Sequence, residues 1–133
     1  MSTPRILVVE DNEEDEFLTL RALKGLEFPL EIEVARNGAE ALNQLEDYME
    51  SALPDLIVLD IKMPLMGGMD VLRSIRRDLR MEGLPVLILS SSDETEDILS
   101  ASILSCSAYV RKHIDMNVYI DSVQKAVRRL LKK

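Results

Sequence analysis

Residues 56–64 read LIVLDIKMP, so four consecutive apolar residues lead directly into the carboxylate of Asp60. A run without polar alternation is typical of a strand covered on both faces, although a run this short also fits a piece of buried helix. Pro64 favours the strand, because it disfavours helical backbone at the residue before it and cannot donate to a ladder. The strand should therefore end near Ile61 and hold Asp60 at its carboxyl end, where open α/β sheets bind ligands. The ordinary alternative is that Asp60 only caps this strand or the next helix.

Length and composition are those of one globular domain. The chain has 133 residues, 47% of them hydrophobic and 30% charged, and we expect residues 1–133 to form a single domain without a separate effector domain. The apolar runs are too short to span a membrane and the start, MSTPR, lacks the apolar core of a signal peptide, which indicates a cytoplasmic protein. The single cysteine, Cys106, excludes an internal disulfide. A formal net charge of −8 argues against nucleic acid and anionic membranes as partners.

Four more segments have the pattern of strands. Residues 6–9 and 86–89 are apolar runs like the first, residues 108–111 are a short candidate, and residues 30–34 alternate apolar with acidic side chains as an edge strand does. Segments with helical spacing separate the five strands, and the short linkers require right-handed crossovers. The pattern predicts an α/β fold with a doubly wound five-stranded parallel sheet, (βα)5 and flavodoxin-like, in the strand order 2-1-3-4-5.

Five helices are predicted from apolar residues spaced three and four apart. The apolar stripe of the first helix includes Phe17, and that of the third helix includes Leu79. The fourth helix, over residues 94–105, has serines among its apolar positions, which indicates weak packing. Asp115 should cap the fifth helix, whose apolar stripe begins at Met116.

Chemically distinctive side chains stand at the ends of four of the five strands. They are Glu10 and Asp11 after the first strand, Asp60 on the third, Ser90 on the fourth and Lys112 on the fifth. Carboxylates about 4 Å apart repel by about 4 kcal/mol per pair at an effective dielectric constant near 20, so three of them require a compensating cation. Oxygen ligands without histidine or thiolate favour a hard ion, and few carboxylates suit Mg²⁺ better than Ca²⁺. Together with a hydroxyl and a lysine, these are the parts needed to place a phosphoryl group on Asp60.

The segments ILVVEDN, LIVLDIKMPLMGG, VLILSSS and AYVRK occur in this order along the chain. Together they resemble the receiver domain of two-component response regulators, over nearly the whole chain. The start EDNEED is also similar to stand-alone receivers associated with bacterial phytochrome kinases. The resemblance implies a signalling protein that takes a phosphoryl group from a sensor histidine kinase or a phosphotransfer protein. Such a protein is not an enzyme on other substrates, because it catalyses only its own phosphotransfer and dephosphorylation.

The resemblance also implies how the metal is held. Asp60 is the phosphoacceptor, and it binds Mg²⁺ together with Asp11. Glu10 assists through a water molecule, and the backbone carbonyl of Lys62 is a further ligand. No organic cofactor is expected.

The remaining site residues follow from the same resemblance. Ser90 and Lys112 match the hydroxyl and the lysine of the family, and Tyr109 matches its rotating aromatic switch. Two positions depart from the family pattern. His113 stands where proline is usual, so we expect a trans bond after Lys112, because a cis bond before a residue other than proline costs about 2.5 to 4 kcal/mol. Ser91 stands where a small alanine is common, next to the surface that phosphatases or output partners approach.

The output surface is predicted to be the face formed by the fourth helix, the fifth strand and the fifth helix, which we call the output face. We expect Ser90 to move towards a phosphoryl group on Asp60 and Tyr109 to fill the vacated space, so that this face changes, binds a downstream protein and supports a homodimer. Two alternatives remain open. One is a receiver-like scaffold that is read without phosphorylation. The other is a flavodoxin-like cofactor binder, which is disfavoured because acids follow the first strand where a cofactor phosphate needs glycines or backbone donors.

Overall fold

Five parallel strands form the centre of the structure, a computed structural model that describes residues 3–48, 52–61, 63, 66–81, 83–90, 106–112 and 115–132. The strands are β1 (Arg5–Val9), β2 (Glu31–Ala35), β3 (Leu56–Asp60), β4 (Val86–Ser90) and β5 (Ala108–Arg111). The helices among the described residues are α1 (Glu13–Lys24), α2 (Gly38–Tyr48), α3 (Gly68–Arg77) and α4 (Met116–Leu131). The sheet order is β2-β1-β3-β4-β5, which confirms the predicted doubly wound α/β fold. The predicted helix over 94–105 and the Lys112–His113 bond lie outside the described residues.

The strand patterns explain the places of the strands in the sheet. Every residue of β3 and β4 is buried, as expected for inner strands covered on both faces. β2 forms one edge and leaves Glu31 and Glu33 exposed. The parallel register pairs Val9 with Leu59 and Ser90 with Arg111, so the residues that end or follow the strands meet at one edge of the sheet. This edge is the carboxyl edge, which lies above the switch point between β1 and β3.

Helices cover both faces of the sheet with separate hydrophobic layers. On the first face, α2 and α3 pack against odd-numbered residues of β3, among them Ile57 and Leu59. On the second face, α1 and α4 pack against the even-numbered residues Leu56 and Val58. Side chains alternate between the two faces along each strand. A residue at a strand end therefore belongs to the same face as the residue two positions before it, whose parity it shares. None of the helices in the described parts of the chain is long and apolar enough to cross a membrane.

Phe17 and Leu79, predicted in the apolar stripes of the first and third helices, are exposed, and both expectations are wrong. Phe17 is 65% exposed, because α1 turns Thr19 into the core and a residue two positions away lies about 200° around the helix. Leu79 is 82% exposed, because α3 ends at Arg77. The backbone of Asp78 is extended, and its carboxylate accepts a hydrogen bond from the N–H of Arg80 at 2.9 Å. This local turn removes Leu79 from the helical stripe.

The last helix begins as the sequence predicts but buries a different stripe. The Asp115 carboxylate accepts hydrogen bonds from the backbone N–H groups of Asn117 at 2.9 Å and Val118 at 3.4 Å, which confirms the predicted cap. Met116 is exposed, contrary to expectation, whereas Tyr119 is buried against α1. The first turn of α4 therefore lies outside the packed interface, which begins at Tyr119.

Candidate functional site

Three carboxylates meet at the carboxyl edge of the sheet. Glu10 directly follows β1, Asp11 comes next, and Asp60 is the last residue of β3. One oxygen of each carboxylate lies within 4.8 Å of the others. Glu10 and Asp60 are 2% and 5% exposed, whereas Asp11 is exposed. The structure thus places together the three acids predicted from the strand ends, with two of them largely removed from water.

The backbone around Glu10 is fixed by hydrogen bonds on both sides of the residue. Its N–H donates to the carbonyl of Ala35 at 3.0 Å, which continues the β1–β2 pairing past the end of β1. Its carboxylate accepts from the N–H of Asn12 at 3.2 Å. The Asn12 side chain in turn accepts from the N–H of Asp15 at 3.0 Å and caps α1. The carboxylate of Glu10 is therefore fixed by the residue that caps α1.

Lys112, directly after β5, supplies the cation of the site. Its Nζ atom lies 3.3 Å from an oxygen of Asp60, 3.4 Å from an oxygen of Glu10 and 2.9 Å from an oxygen of Asp15. Its backbone N–H donates to the carbonyl of Ser90 at 2.7 Å, which fixes the end of β5 against the end of β4. The sequence predicted Lys112 beside Asp60. The contact with Asp15 was not predicted, because an acid in the first turn of a helix already complements the helix dipole.

Burial and charge act in opposite directions on the groups of this site. Burial raises the pKa of Glu10 to about 8, and the charge of Asp60 adds to this effect, while Lys112 and the N–H of Asn12 oppose it. Burial lowers the pKa of Lys112, but the nearby charges of Asp60, Asp15 and Glu10 outweigh burial and leave it raised. Lys112 is therefore protonated at neutral pH, and its single charge does not balance the surrounding carboxylates. An all-oxygen donor set with excess negative charge fits a hard divalent cation.

Gly68, the first residue of α3, lies directly against the backbone of Asp60. A Cβ atom at this position would come within 2.2 Å of the Asp60 carbonyl oxygen, so only glycine permits the approach. The N–H of Gly68 donates to the carbonyl of Ile61 at 3.0 Å. The sequence showed two glycines after the Asp60 strand but did not assign them a role. The sequence feature that could have identified Gly68 is its position, because it begins a helix directly after the loop that follows a central strand.

Ser90 and Tyr109 alternate onto the first face of the sheet, and Ser90, as the last residue of β4, stands at the carboxyl edge where the carboxylates meet. Ser90 ends β4 and is fully buried. It has the parity of Ile88, which pairs with Tyr109, so both belong to the first face, where Tyr109 packs partly buried against the core. Glu10, Asp60 and Lys112 have the parity of the second face. The carbonyl of Lys62, the other predicted metal ligand, lies outside the described residues.

Residues 6–124 match the family model for the response regulator receiver domain. The chain belongs to this family. The receiver is 30% identical over 122 residues to response regulator Rcp1 of Synechocystis sp. (strain ATCC 27184 / PCC 6803 / Kazusa). The matched residues cover 90% of this chain and 83% of Rcp1. Two solved structures extend the similarity to three dimensions. The phosphorylated cyanobacterial phytochrome response regulator RcpA is 31% identical, with a TM-score of 0.89, over 98% of this receiver and 95% of the RcpA chain.

The second similar structure is the Mn²⁺-bound form of response regulator Rcp1. It is 28% identical, with a TM-score of 0.88, over 98% of this receiver and 96% of that chain. The predicted membership of the receiver family is confirmed, as is the similarity to phytochrome-associated response regulators. The receiver is therefore a two-component signalling domain whose partners belong to the classes of kinases and phosphotransfer proteins.

Proposed function

We propose that this receiver takes a phosphoryl group onto Asp60 from a sensor histidine kinase or a phosphotransfer protein, with Mg²⁺ as the cofactor. The observation that carries the proposal is the convergence of three carboxylates and the Lys112 ammonium on the end of β3. Phosphoryl transfer depends mainly on positioning and charge stabilisation, which such a site supplies. The Mn²⁺-bound structure of Rcp1 and the phosphorylated structure of RcpA support metal binding and phosphorylation in similar proteins.

Each proposed step belongs to a residue of this chain. Asp11, Asp60, Glu10 through water and the carbonyl of Lys62 would hold Mg²⁺, which when bound offsets the negative charge of the site. A carboxylate oxygen of Asp60 attacks phosphorus, forming a P–O bond as the P–N bond to the donor histidine breaks. Lys112, 3.3 Å from the Asp60 carboxylate, orients an oxygen of the incoming group, and the Ser90 hydroxyl donates to another. Water later attacks the same phosphorus, the P–O bond to Asp60 breaks, and inorganic phosphate leaves while the Asp60 carboxylate is regenerated.

The signal is proposed to leave the receiver through protein contacts. We propose the output face as the surface that a downstream protein or a second copy binds in the cytoplasm. Its described part consists of β5 and of α4, which is the predicted fifth helix. A cavity of about 340 Å³ in this part is lined by Tyr109 on β5 and by Ser122, Lys125 and Arg129 on α4. Nucleic acid and anionic membranes are not proposed as partners, given the net charge of −8.

Labelling with a small phosphodonor tests the proposed phosphoacceptor. The protein would be incubated with acetyl phosphate and Mg²⁺, trapped with hydride and analysed by mass spectrometry. We expect label at Asp60 alone in the wild type, no label in Asp60→Ala and strongly reduced label in Asp11→Ala. Asp47→Ala removes an exposed carboxylate of α2 and serves as the matched control that keeps the label. Label at the wild-type level in Asp60→Ala would overturn the proposal, and an unlabelled wild type would favour the phosphorylation-independent scaffold.

A further inference from the structure

Asp15 makes the shortest of the three carboxylate contacts of Lys112. The distance from Lys112 Nζ is 2.9 Å to Asp15, against 3.3 Å to Asp60 and 3.4 Å to Glu10. A lysine ammonium has three N–H donors, so these three carboxylates can use all of them. A phosphoryl oxygen that binds Lys112 must therefore displace at least one carboxylate.

The position of Asp15 is set by the first turn of α1. Its backbone N–H is bound by the Asn12 side chain, which fixes the helix start beside the site. The neighbouring acids of this turn are not paired with Lys112 among the described residues. Glu13 and Glu14 are exposed, and Glu16 forms an ion pair with Arg36. The pairing of Asp15 with Lys112 therefore comes from the geometry of this turn and is not shared by every acid in it.

We propose that Asp15 is a positioning residue that holds Lys112 in the unphosphorylated receiver and releases it when a phosphoryl group on Asp60 competes for the ammonium. This inference rests on the proposed function. Asp15 is the carboxylate that can leave at least cost, because its side chain is 35% exposed and regains water on release. The side chains of Glu10 and Asp60 are only 2% and 6% exposed, so neither would regain water by moving away from Lys112. Asp15 thereby sets how readily Lys112 becomes available to the phosphoryl group.

The test compares Asp15→Asn with Glu14→Gln, two variants that remove the same charge from the same helical turn. The ligand is beryllofluoride with Mg²⁺, a mimic of the phosphoryl group. We expect Asp15→Asn to bind beryllofluoride about threefold to tenfold more tightly than the wild type, because the ammonium of a partly exposed pair is released. Glu14→Gln should change the affinity by less than about twofold, as screened charges do. Equal affinities in the two variants would overturn the role of Asp15.

A double-mutant cycle separates positioning from a general charge effect. In a Lys112→Met background, the gain from Asp15→Asn should disappear, because the residue that Asp15 acts through is absent. The ¹⁵N signal of Lys112 Nζ should also shift in Asp15→Asn but not in Glu14→Gln, while the two variants keep similar thermal midpoints. A gain that persists without Lys112 would overturn the proposal. A wild type that does not bind beryllofluoride at all would overturn the proposed function as well, which distinguishes the two failures.

Discussion

Gly68 lies where α3 approaches the backbone of Asp60 more closely than any side chain allows. Adding a Cβ places it 2.2 Å from the Asp60 carbonyl oxygen, so Gly68→Ala must move either the start of α3 or the end of β3. We expect the free energy of unfolding to fall by about 2 to 4 kcal/mol, because the clash is with backbone in a packed region. Urea unfolding measures the loss. Mg²⁺ affinity should fall too, since Asp60 is displaced.

Gly83→Ala is the matched control for Gly68→Ala. No atom beyond the chain neighbours lies within 4 Å of a Cβ at Gly83, and neither glycine has left-handed backbone, so the two substitutions differ mainly in the space available. We expect Gly83→Ala to leave stability unchanged or to raise it by up to about 1 kcal/mol, through the unfolded chain. Equal urea midpoints for the two variants would contradict the close approach of α3 to Asp60.

The site residues differ in how far the sequence could predict them. Asp60, Glu10 and Lys112 directly end or follow strands, so strand order alone brings them to one edge of the sheet. Asp15 also reaches Lys112, but its contact depends on how α1 is rotated against β5, 97 residues away in sequence. An acid in the first turn of a helix already has a sufficient explanation in the helix dipole. The sequence pattern therefore gives no reason to connect Asp15 with the site.

The contact between α1 and α4 shows why apolar spacing alone misplaced the buried stripes. The hydroxyls of Thr19 and Tyr119 lie 3.3 Å apart in this interface, and both residues are buried. Gln124 of α4 donates to the carbonyl of Ala22 at 2.9 Å. Polar groups that satisfy one another can take core positions that the sequence pattern assigns to neighbouring apolar residues. Phe17 was therefore assigned to the core although Thr19 occupies it.

Tyr119 makes this interface sensitive to alkaline pH. Burial raises the pKa of Tyr119 to about 12, although the hydrogen bond with Thr19 lowers it, and the ordinary value is 10.0. Between these values the unfolded tyrosine loses its proton while the folded one keeps it, so the folded state binds more protons. The free energy of unfolding then falls as pH rises, by about 2 to 3 kcal/mol for this group. Urea unfolding from pH 9 to pH 12 measures the fall.

Tyr119→Phe removes the titrating group and serves as the comparison. Below pH 9 the wild type should be more stable by about 1 kcal/mol, because its hydroxyl pairs with Thr19 in a buried position. That advantage should shrink through pH 10 to 12 and then reverse. Tyr48, whose pKa burial and Glu33 also raise to about 12, is present in both proteins and cancels in the comparison. A stability difference that stays constant with pH would contradict the burial of Tyr119.

Across the whole sheet, the carboxyl edge holds the charged site together with Ser90, and Tyr109 lies two residues before the end of β5. Glu10, Asp60 and Lys112 have the parity of the face covered by α1 and α4, whereas Ser90 and Tyr109 have that of the other face. The strand order was predictable because the short linkers between strands and helices require right-handed crossovers in a doubly wound sheet. The helix over 94–105 completes the predicted output face but lies outside the described residues. Among the described residues, the site and the output face are connected by the hydrogen-bonded joint between β4 and β5.

The β4–β5 joint leads to the last prediction, which concerns how phosphorylation spreads through the receiver. The Ser90 carbonyl accepts the backbone N–H of Lys112 at 2.7 Å, so both groups that would contact a phosphoryl group belong to one hydrogen-bonded strand pair. Tyr109, paired with Ile88 in the same ladder, is partly buried and lines the cavity between β5 and α4, so its rotamer is the element expected to respond. Beryllofluoride with Mg²⁺ should therefore shift amide NMR signals of residues 90–112 more than those of residues 30–50, whereas Mg²⁺ alone should affect mainly residues 10, 11 and 60. In Tyr109→Ala the shifts near Asp60 should remain and those along β5 should weaken. Equal perturbation of both regions by beryllofluoride would leave the β4–β5 joint without a role in signalling.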